Sequence, residues 1–238
     1  MHFAHKIEKL ADPRTLQSAK RQLGRFFAPR RFVFRLTPEK IIASIDRKEL
    51  QVIRDRYAVE NPGKAWPKYL DINYWMRINL RRVRDLELDY GPPRDLLDLG
   101  SGAGYFLYLC KWLGHHPVGL DIDKAPLYPE MARLLGLERV LWRIEAFARL
   151  PDLGQKFDLI TAFMICFNNH KQPGLWGPRE WEFFLHDARR QLKPTGRIFL
   201  QFNQERDGTF LSDELRAFFV ERGARVGLDT VSAGQTAL

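Results

Sequence analysis

The spacing of apolar positions changes character partway along this chain. In the first part, Leu16, Ala19, Leu23 and then Phe26 or Phe27 recur at helical spacing, with Lys20, Arg21 and Arg25 between them. After a basic turn at Pro29-Arg30-Arg31, Thr37-Pro38-Glu39 reads as a helix start: a capping hydroxyl, a proline at the first position and an acid near the positive end of the dipole. Ile42, Ile45, Val52, Ile53 and Tyr57 follow on one side, and Asn61-Pro62-Gly63 ends that helix. A third helix begins near Pro67 and carries Tyr69, Ile72, Trp75, Ile78, Val83 and Leu86. From Arg94 onward, short apolar runs alternate with amphipathic stretches. Strands are predicted at 96–99, 117–120, 140–144, 157–163 and 197–202, and helices at 105–113, 126–135, 178–192 and 212–222. Such alternation predicts an α/β fold: a doubly wound, mostly parallel sheet behind an N-terminal helical extension.

Charge sharpens the same division. The 238 residues carry 38 Lys and Arg against 29 Asp and Glu, a net +9. Residues 1–93 hold 20 bases and 11 acids, whereas residues 94–238 hold 18 of each. Residues 1–38 alone place nine bases against Glu8 and Asp12. The chain therefore divides at Gly91-Pro92-Pro93 into a basic helical part, 1–93, and an electrically balanced part, 94–238. Two cysteines, Cys110 and Cys166, make no disulfide framework, and the start shows no secretory pattern, so the expected compartment is the cytoplasm. No apolar run is long enough for a membrane span, and no clustered His/Cys pattern points to a metal.

The densest chemistry lies in Asp95-Leu-Leu-Asp98-Leu-Gly100-Ser-Gly102-Ala-Gly104-Tyr105, a strand entering a glycine-rich turn that opens a helix. Glycines there permit a sharp turn and close approach of a ligand, beside free N–H groups at a helix N-terminus. About 20 residues on, the strand Pro117-Val-Gly-Leu-Asp121 ends in an acid placed to accept both hydroxyls of a ribose. The third glycine of a dinucleotide fingerprint would fall on Tyr105, and no Lys-Ser/Thr pair follows, so the loop suits a nucleoside carrying a small zwitterion better than a polyphosphate.

These motifs resemble the class I, Rossmann-like S-adenosylmethionine-dependent methyltransferases. Residues 97–104 look like that family's first motif and Gly119-Leu120-Asp121 like its ribose-binding second. Residues 157–163 look like its fourth strand, and Leu192-Lys193-Pro194-Thr195-Gly196-Arg197 like the loop before its fifth. The resemblance spans about residues 94–222. It implies a seven-strand-type sheet and S-adenosylmethionine as cofactor. The implied contacts are Asp98, Gly100, Ser101, Gly102, Gly104, Asp121, Ile122 and Phe163, with Glu145, Ala146 and Phe147 toward the adenine. The chain runs only to Leu238, so the closing antiparallel hairpin is expected to have a stunted last strand.

Acceptor-side residues are expected beyond the fourth strand and in the helix before the first. His170 is a candidate general base beside Asn168, and a solvated loop role stands equally open for it. Trp176, between glycines and prolines, is read as a substrate wall, and Trp181 as core. Tyr69, Tyr74 and Arg77 are candidates to reach the cofactor's methionine carboxylate or the acceptor, and a packing face with a solvated Arg stands open beside that reading. The reading is a methyltransferase for a small-molecule acceptor working by in-line transfer. Two alternatives stay open: an RNA- or ribosome-directed enzyme using the basic arm, and a non-catalytic module docking on a membrane surface or partner.

Overall fold

The computed structural model describes residues 36–60, 66–165, 167 and 174–235. The expected helix around residues 16–27 lies outside them. Among the described residues, seven strands form one sheet: β1 (Asp95–Leu99), β2 (His116–Asp121), β3 (Arg139–Leu141), β4 (Phe157–Ile165), β5 (Leu192–Phe202), β6 (Arg225–Val226) and β7 (Thr230–Gly234). Their spatial order is β3-β2-β1-β4-β5-β7-β6; β1 to β5 run parallel, and β7 is antiparallel to both its neighbours. The order reverses between β1 and β4, which opens a crevice at the C-terminal ends of those strands.

Strand alternation feeds two cores. On one face, Leu96 and Leu159 join the buried residues of α1 (Pro38–Ile42), α2 (Arg47–Glu60), α3 (Ile72–Asp85), α4 (Tyr105–Trp112) and α5 (Leu127–Leu134). On the other, Leu97, Leu99, Ile160, Ala162, Ile198 and Leu200 pack with α6 (Pro178–Arg190) and α7 (Asp213–Glu221). The helices of residues 38–85 thus share a continuous core with the first face of the sheet.

The N-terminal helices are more broken than their periodicity predicts. Thr37 and Pro38 do start a helix, but it ends at Ile42. Asp46 starts the next, its Oδ1 accepting from Lys48 N at 2.8 Å and Glu49 N at 3.1 Å. The new phase turns Val52 outward, 55% exposed, while Leu50, Ile53 and Tyr57 are buried. The expected helix from Pro67 likewise becomes a 3₁₀ turn, Trp66–Leu70, followed by α3. Asp71 caps α3 by accepting from Tyr74 N at 3.0 Å.

The closing hairpin also differs from expectation. The short strand is β6, with two residues, and β7 has five and lies between β5 and β6. The turn at Leu228-Asp229 sets this register: Gly227 N donates to Thr230 O at 2.7 Å, bringing the chain back early enough for β7 to form within residue 234. A side chain at Gly227 would meet Thr230 Oγ1 at 2.5 Å, so the turn is closed by a residue without one. No helix among the described residues is long and apolar enough to cross a membrane.

Candidate functional site

The glycine turn is built by the ends of β1 and β2. Gly100 N donates to Leu120 O at 2.7 Å, folding the chain sharply as it leaves the sheet. Gly104 occupies the cap of α4 at φ +79°, and a side chain there would come within 2.3 Å of Leu137 Cδ1. Asp121, at the tip of β2, holds the turn from below. Its Oδ2 accepts from Gly102 N at 2.6 Å and its Oδ1 from Ile122 N at 2.7 Å and Asp123 N at 3.1 Å.

Above this turn lies a cavity of about 370 Å³. Of the residues expected at the cofactor, Asp98, Gly100, Ser101, Gly102, Gly104, Asp121 and Phe163 line it, and Tyr69 of the expected acceptor residues does too. An aromatic wall closes one side. Tyr69 stacks on Trp75 with ring centroids 5.1 Å apart and meets Tyr128 edge-on at 5.6 Å. The Tyr105 hydroxyl donates to the Tyr69 carbonyl, and burial pushes both the Tyr105 and Tyr128 phenols up. Neither phenol is therefore a ready source of negative charge.

Two opposite charges line this cavity, Asp98 buried and Arg82 half-buried. Asp98 accepts from Thr161 Oγ1 at 2.7 Å, and desolvation raises its pKa to about 7 despite that bond and the nearby Arg82. Arg82 donates to Asn79 Oδ1 and Gln201 Oε1, each at 3.1 Å, and lies 4.1 Å from the Phe163 ring centroid. Burial lowers its pKa to about 10, with Asp98 acting in the opposite direction. The two charges feel each other, yet among the described residues neither is in an ion pair. Ser101 Oγ, under the turn, is buried without a hydrogen-bond partner.

Several of the expected residues do not line this cavity. Arg77 is exposed and stands away from the cavity. At about 100° per residue it lies some 200° around α3 from Trp75, whereas Arg82 lies within about 20° of it. Tyr74, 54% exposed, does not line the cavity, although its ring meets Trp75 edge-on at 5.3 Å. Ile122 is 39% exposed and does not line the cavity; its contribution is the N–H given to Asp121. Glu145, Ala146 and Phe147 are exposed and outside the lining as well. The cause is the short β3, which ends at Leu141, three residues before the predicted end. Trp142 consequently sits beside the tip of β2, its N–H donating to Asp121 O at 2.9 Å. Phe147 instead turns back at φ +59° to meet the Phe183 ring at 5.9 Å. Asn168 and His170 lie outside the described residues, as do the first 35 residues of the basic arm.

Trp176 lines a different cavity, of about 290 Å³, on the opposite face of the sheet over Ala162 and Leu200. It is 7% exposed and stacks on Phe167 at 5.0 Å; Trp181 is core, as expected, and edges the same space. The two cavities meet at Asn203, just past the end of β5, which lines both. Asn203 Nδ2 donates to the carbonyl of Met164, whose φ of +52° marks the bulge in β4 before Ile165. Arg82, Asn79, Tyr128 and Asn203 carry no motif signal in the sequence. Among the described residues no group of three His, Cys, Asp or Glu is placed to hold a metal ion.

Residues 97–200 match a family model described as a methyltransferase domain. A search of curated proteins returns no match. Among solved structures, a protein from Pyrococcus horikoshii OT3 is similar at 21% identity, covering 65% of this chain and 66% of that one, with a TM-score of 0.41. The CcbJ methyltransferase from Streptomyces caelestis is similar at 20% identity, over 54% of this chain and 48% of its own, with a TM-score of 0.39. Magnesium protoporphyrin IX methyltransferase from Synechocystis PCC 6803, with bound S-adenosylmethionine, is similar at 14% identity, over 81% and 98%, with a TM-score of 0.46. This chain thus spans about two thirds and about half the length of the first two. The matched segment, residues 97–200, holds the glycine turn, the acid-tipped second strand and the parallel core of the sheet, and over these residues the chain is similar to a methyltransferase domain.

Proposed function

We propose that the chain transfers the methyl group of S-adenosylmethionine in line to a small-molecule acceptor, with the cofactor held in the larger cavity. The observation that carries this reading is the separation of Asp98 from Arg82. A buried carboxylate and a half-buried guanidinium in one cavity, each hydrogen-bonded but not to the other, suit the ammonium and carboxylate of an amino-acid zwitterion. The residues present fit the rest of the cofactor. Asp121 offers carboxylate oxygens at the turn for a ribose, Trp142 and Ile122 offer exposed apolar surface beyond it, and Ser101 Oγ offers an unsatisfied polar atom.

When bound, the cofactor supplies the electrophilic methyl on a sulfonium. The protein's part is alignment and exclusion of water. Phe163, with Phe106 edge-on at 4.7 Å, gives the cavity a dry floor, and the Tyr69–Trp75–Tyr128 wall closes its side. Arg82 is fixed through Asn79 and Gln201, so it is preorganised rather than recruited. His170 remains the candidate for removing a proton from an acceptor that needs it.

Calorimetry with S-adenosylmethionine on the full chain tests this reading. Arg82→Met is expected to weaken binding on the order of tenfold to a hundredfold, the worth of a charge-assisted hydrogen bond. Arg77→Met is expected to leave it unchanged. Equal effects of the two substitutions would remove Arg82 from the site.

A further inference from the structure

The smaller cavity has a chemistry of its own. Its walls are aromatic and aliphatic: Phe167, Trp176, Trp181, Phe202, Phe210 and Leu215. Among the described residues, its polar lining includes Glu205, Asp207 and Glu214, and no Lys, Arg or His. This is the reverse of the chain's overall excess of 38 bases over 29 acids. The carboxylates also have local roles. Asp207 Oδ1 accepts from Thr209 N and Oγ1 at 2.9 and 2.8 Å, and Glu214 sits in the first turn of α7. Hydrogen bonds from Thr209 hold the Asp207 carboxyl below its ordinary value, so it stays charged at neutral pH. Those local roles leave the negative charge of Asp207 and Glu214 at the cavity in place.

Position gives the cavity its function. It opens at the C-terminal ends of β4 and β5 and meets the cofactor cavity at Asn203. There the β4 backbone is held at positive φ at Met164, 51% exposed, by the bond from Asn203 to its carbonyl. Backbone strain of this kind clusters at active sites and ligand clamps.

We propose that this cavity receives the methyl acceptor, and that the acceptor is a flat, largely apolar small molecule bearing a positive charge. Aromatic walls favour a planar ring by stacking, and they attract a cation through their faces. The acidic lining then selects cationic over anionic molecules of the same shape. The assignment of the occupant as acceptor rests on the methyltransferase reading; the charge preference does not.

The test uses the full chain and three probes of one ring system: tryptamine, indole and indole-3-acetate, titrated by calorimetry at low and high salt. Tryptamine is expected to bind at least about tenfold more tightly than indole-3-acetate at low salt, the worth of one modest ion pair, with the gap narrowing at high salt. The exposed change Glu214→Gln, alone and with Glu205→Gln, is expected to shrink that ratio stepwise. Filling the space with Leu211→Trp is expected to weaken all three probes. Indole-3-acetate binding as well as tryptamine, no binding of any probe, or a ratio indifferent to the Gln substitutions would overturn the proposal. S-adenosylmethionine affinity is measured on the same unmodified protein. Its absence alongside an intact amine preference would strike the methyltransferase reading instead.

Discussion

Asp95 and Asp98 stand three residues apart on β1, and Asp158 and Thr161 three apart on β4, yet the two ends of these strands carry opposite electrostatics. At the N-terminal end, Lys193 Nζ lies 2.6 Å from Asp95 Oδ2 and 2.8 Å from Asp158 Oδ2, and Asp158 also accepts from Asp95 N at 2.8 Å. All three side chains keep a quarter to a third of their surface in water. Burial pulls the Asp158 carboxyl up, but its hydrogen bonds from Lys193 and Asp95 N prevail and hold it below its ordinary value. The same bonds hold the Lys193 ammonium above its own. At the C-terminal end, Asp98 is 3% exposed and has a hydroxyl rather than a cation as its partner. One end spends its charges on joining β1, β4 and β5. The other keeps buried charge apart, at a cost in stability, where a ligand can complete it.

The sharpest way to break this contrast is Asp98→Asn. The amide oxygen can still accept from Thr161, and the buried carboxylate is gone. S-adenosylmethionine affinity is expected to fall on the order of a hundredfold, the loss of a buried charge-assisted contact. The melting temperature of the free protein at pH 8 is expected to hold or rise, because the Asp98 carboxylate no longer has to be desolvated. A marked fall in melting temperature with unchanged affinity would make Asp98 a structural residue like Asp95.

What the sequence discloses follows the same geometry. Asp98, the three glycines and Asp121 are legible because one strand, one turn and the next strand tip carry them, so local spacing fixes where they go. Arg82 is not legible. Its place depends on the phase of α3, which is reset when Asp71 ends the 3₁₀ turn and starts a new helix. A reading with one continuous helix from Pro67 selects Arg77, which the structure leaves exposed about half a turn from the cavity side of α3. Trp142 was hidden by a smaller effect. Apolar character continues through Ile144, but pairing with β2 ends at Asp121–Leu141, and the sequence of β3 does not say how long its neighbour is. Asn203 becomes visible only when β5 and the β4 bulge are brought side by side. The sheet itself is legible because strands and helices alternate at regular length, and the shortness of β6 is not, because its limit is a turn, Leu228-Asp229, inside an otherwise strand-like run.

The pH dependence of the two ends sharpens the comparison at smaller magnitude. Asp98 has its folded pKa raised to about 7, so between its unfolded value and 7 the folded state binds more protons. Its contribution therefore makes the free protein less stable as pH rises through that window and is constant above it. The charged groups that set this value are Arg82 from α3 and Asp121 from β2. For the ligand the sign is reversed. An ammonium needs Asp98 ionised, so S-adenosylmethionine affinity is expected to rise by up to about tenfold per unit from about pH 5.5 to 7. Isothermal titration in two buffers of different ionisation enthalpy would also register a proton released on binding below pH 7. Asp98→Asn is expected to flatten both effects, and a pH slope that survives the substitution would assign the titration to another group.

The N-terminal clamp provides the weakest and cleanest control. Lys193→Met is expected to lower the unfolding free energy by about 1 kcal/mol or less, since the pairs are partly solvated and screened. The Asp158 part of that contribution is present above the unfolded carboxylate pKa and disappears as pH falls through the depressed folded value. The Lys193 part is present below the unfolded lysine pKa and is lost only as pH rises through its elevated folded value. Urea unfolding of wild type and Lys193→Met should therefore show a gap that is constant across neutral pH and closes in acid, and that shrinks with salt. Cofactor affinity is expected to be the same in both proteins, because the clamp and the cavity lie at opposite ends of the strands. An affinity change comparable to that of Asp98→Asn would mean that strand position, rather than local charge, governs the site, and the contrast between the two ends would collapse.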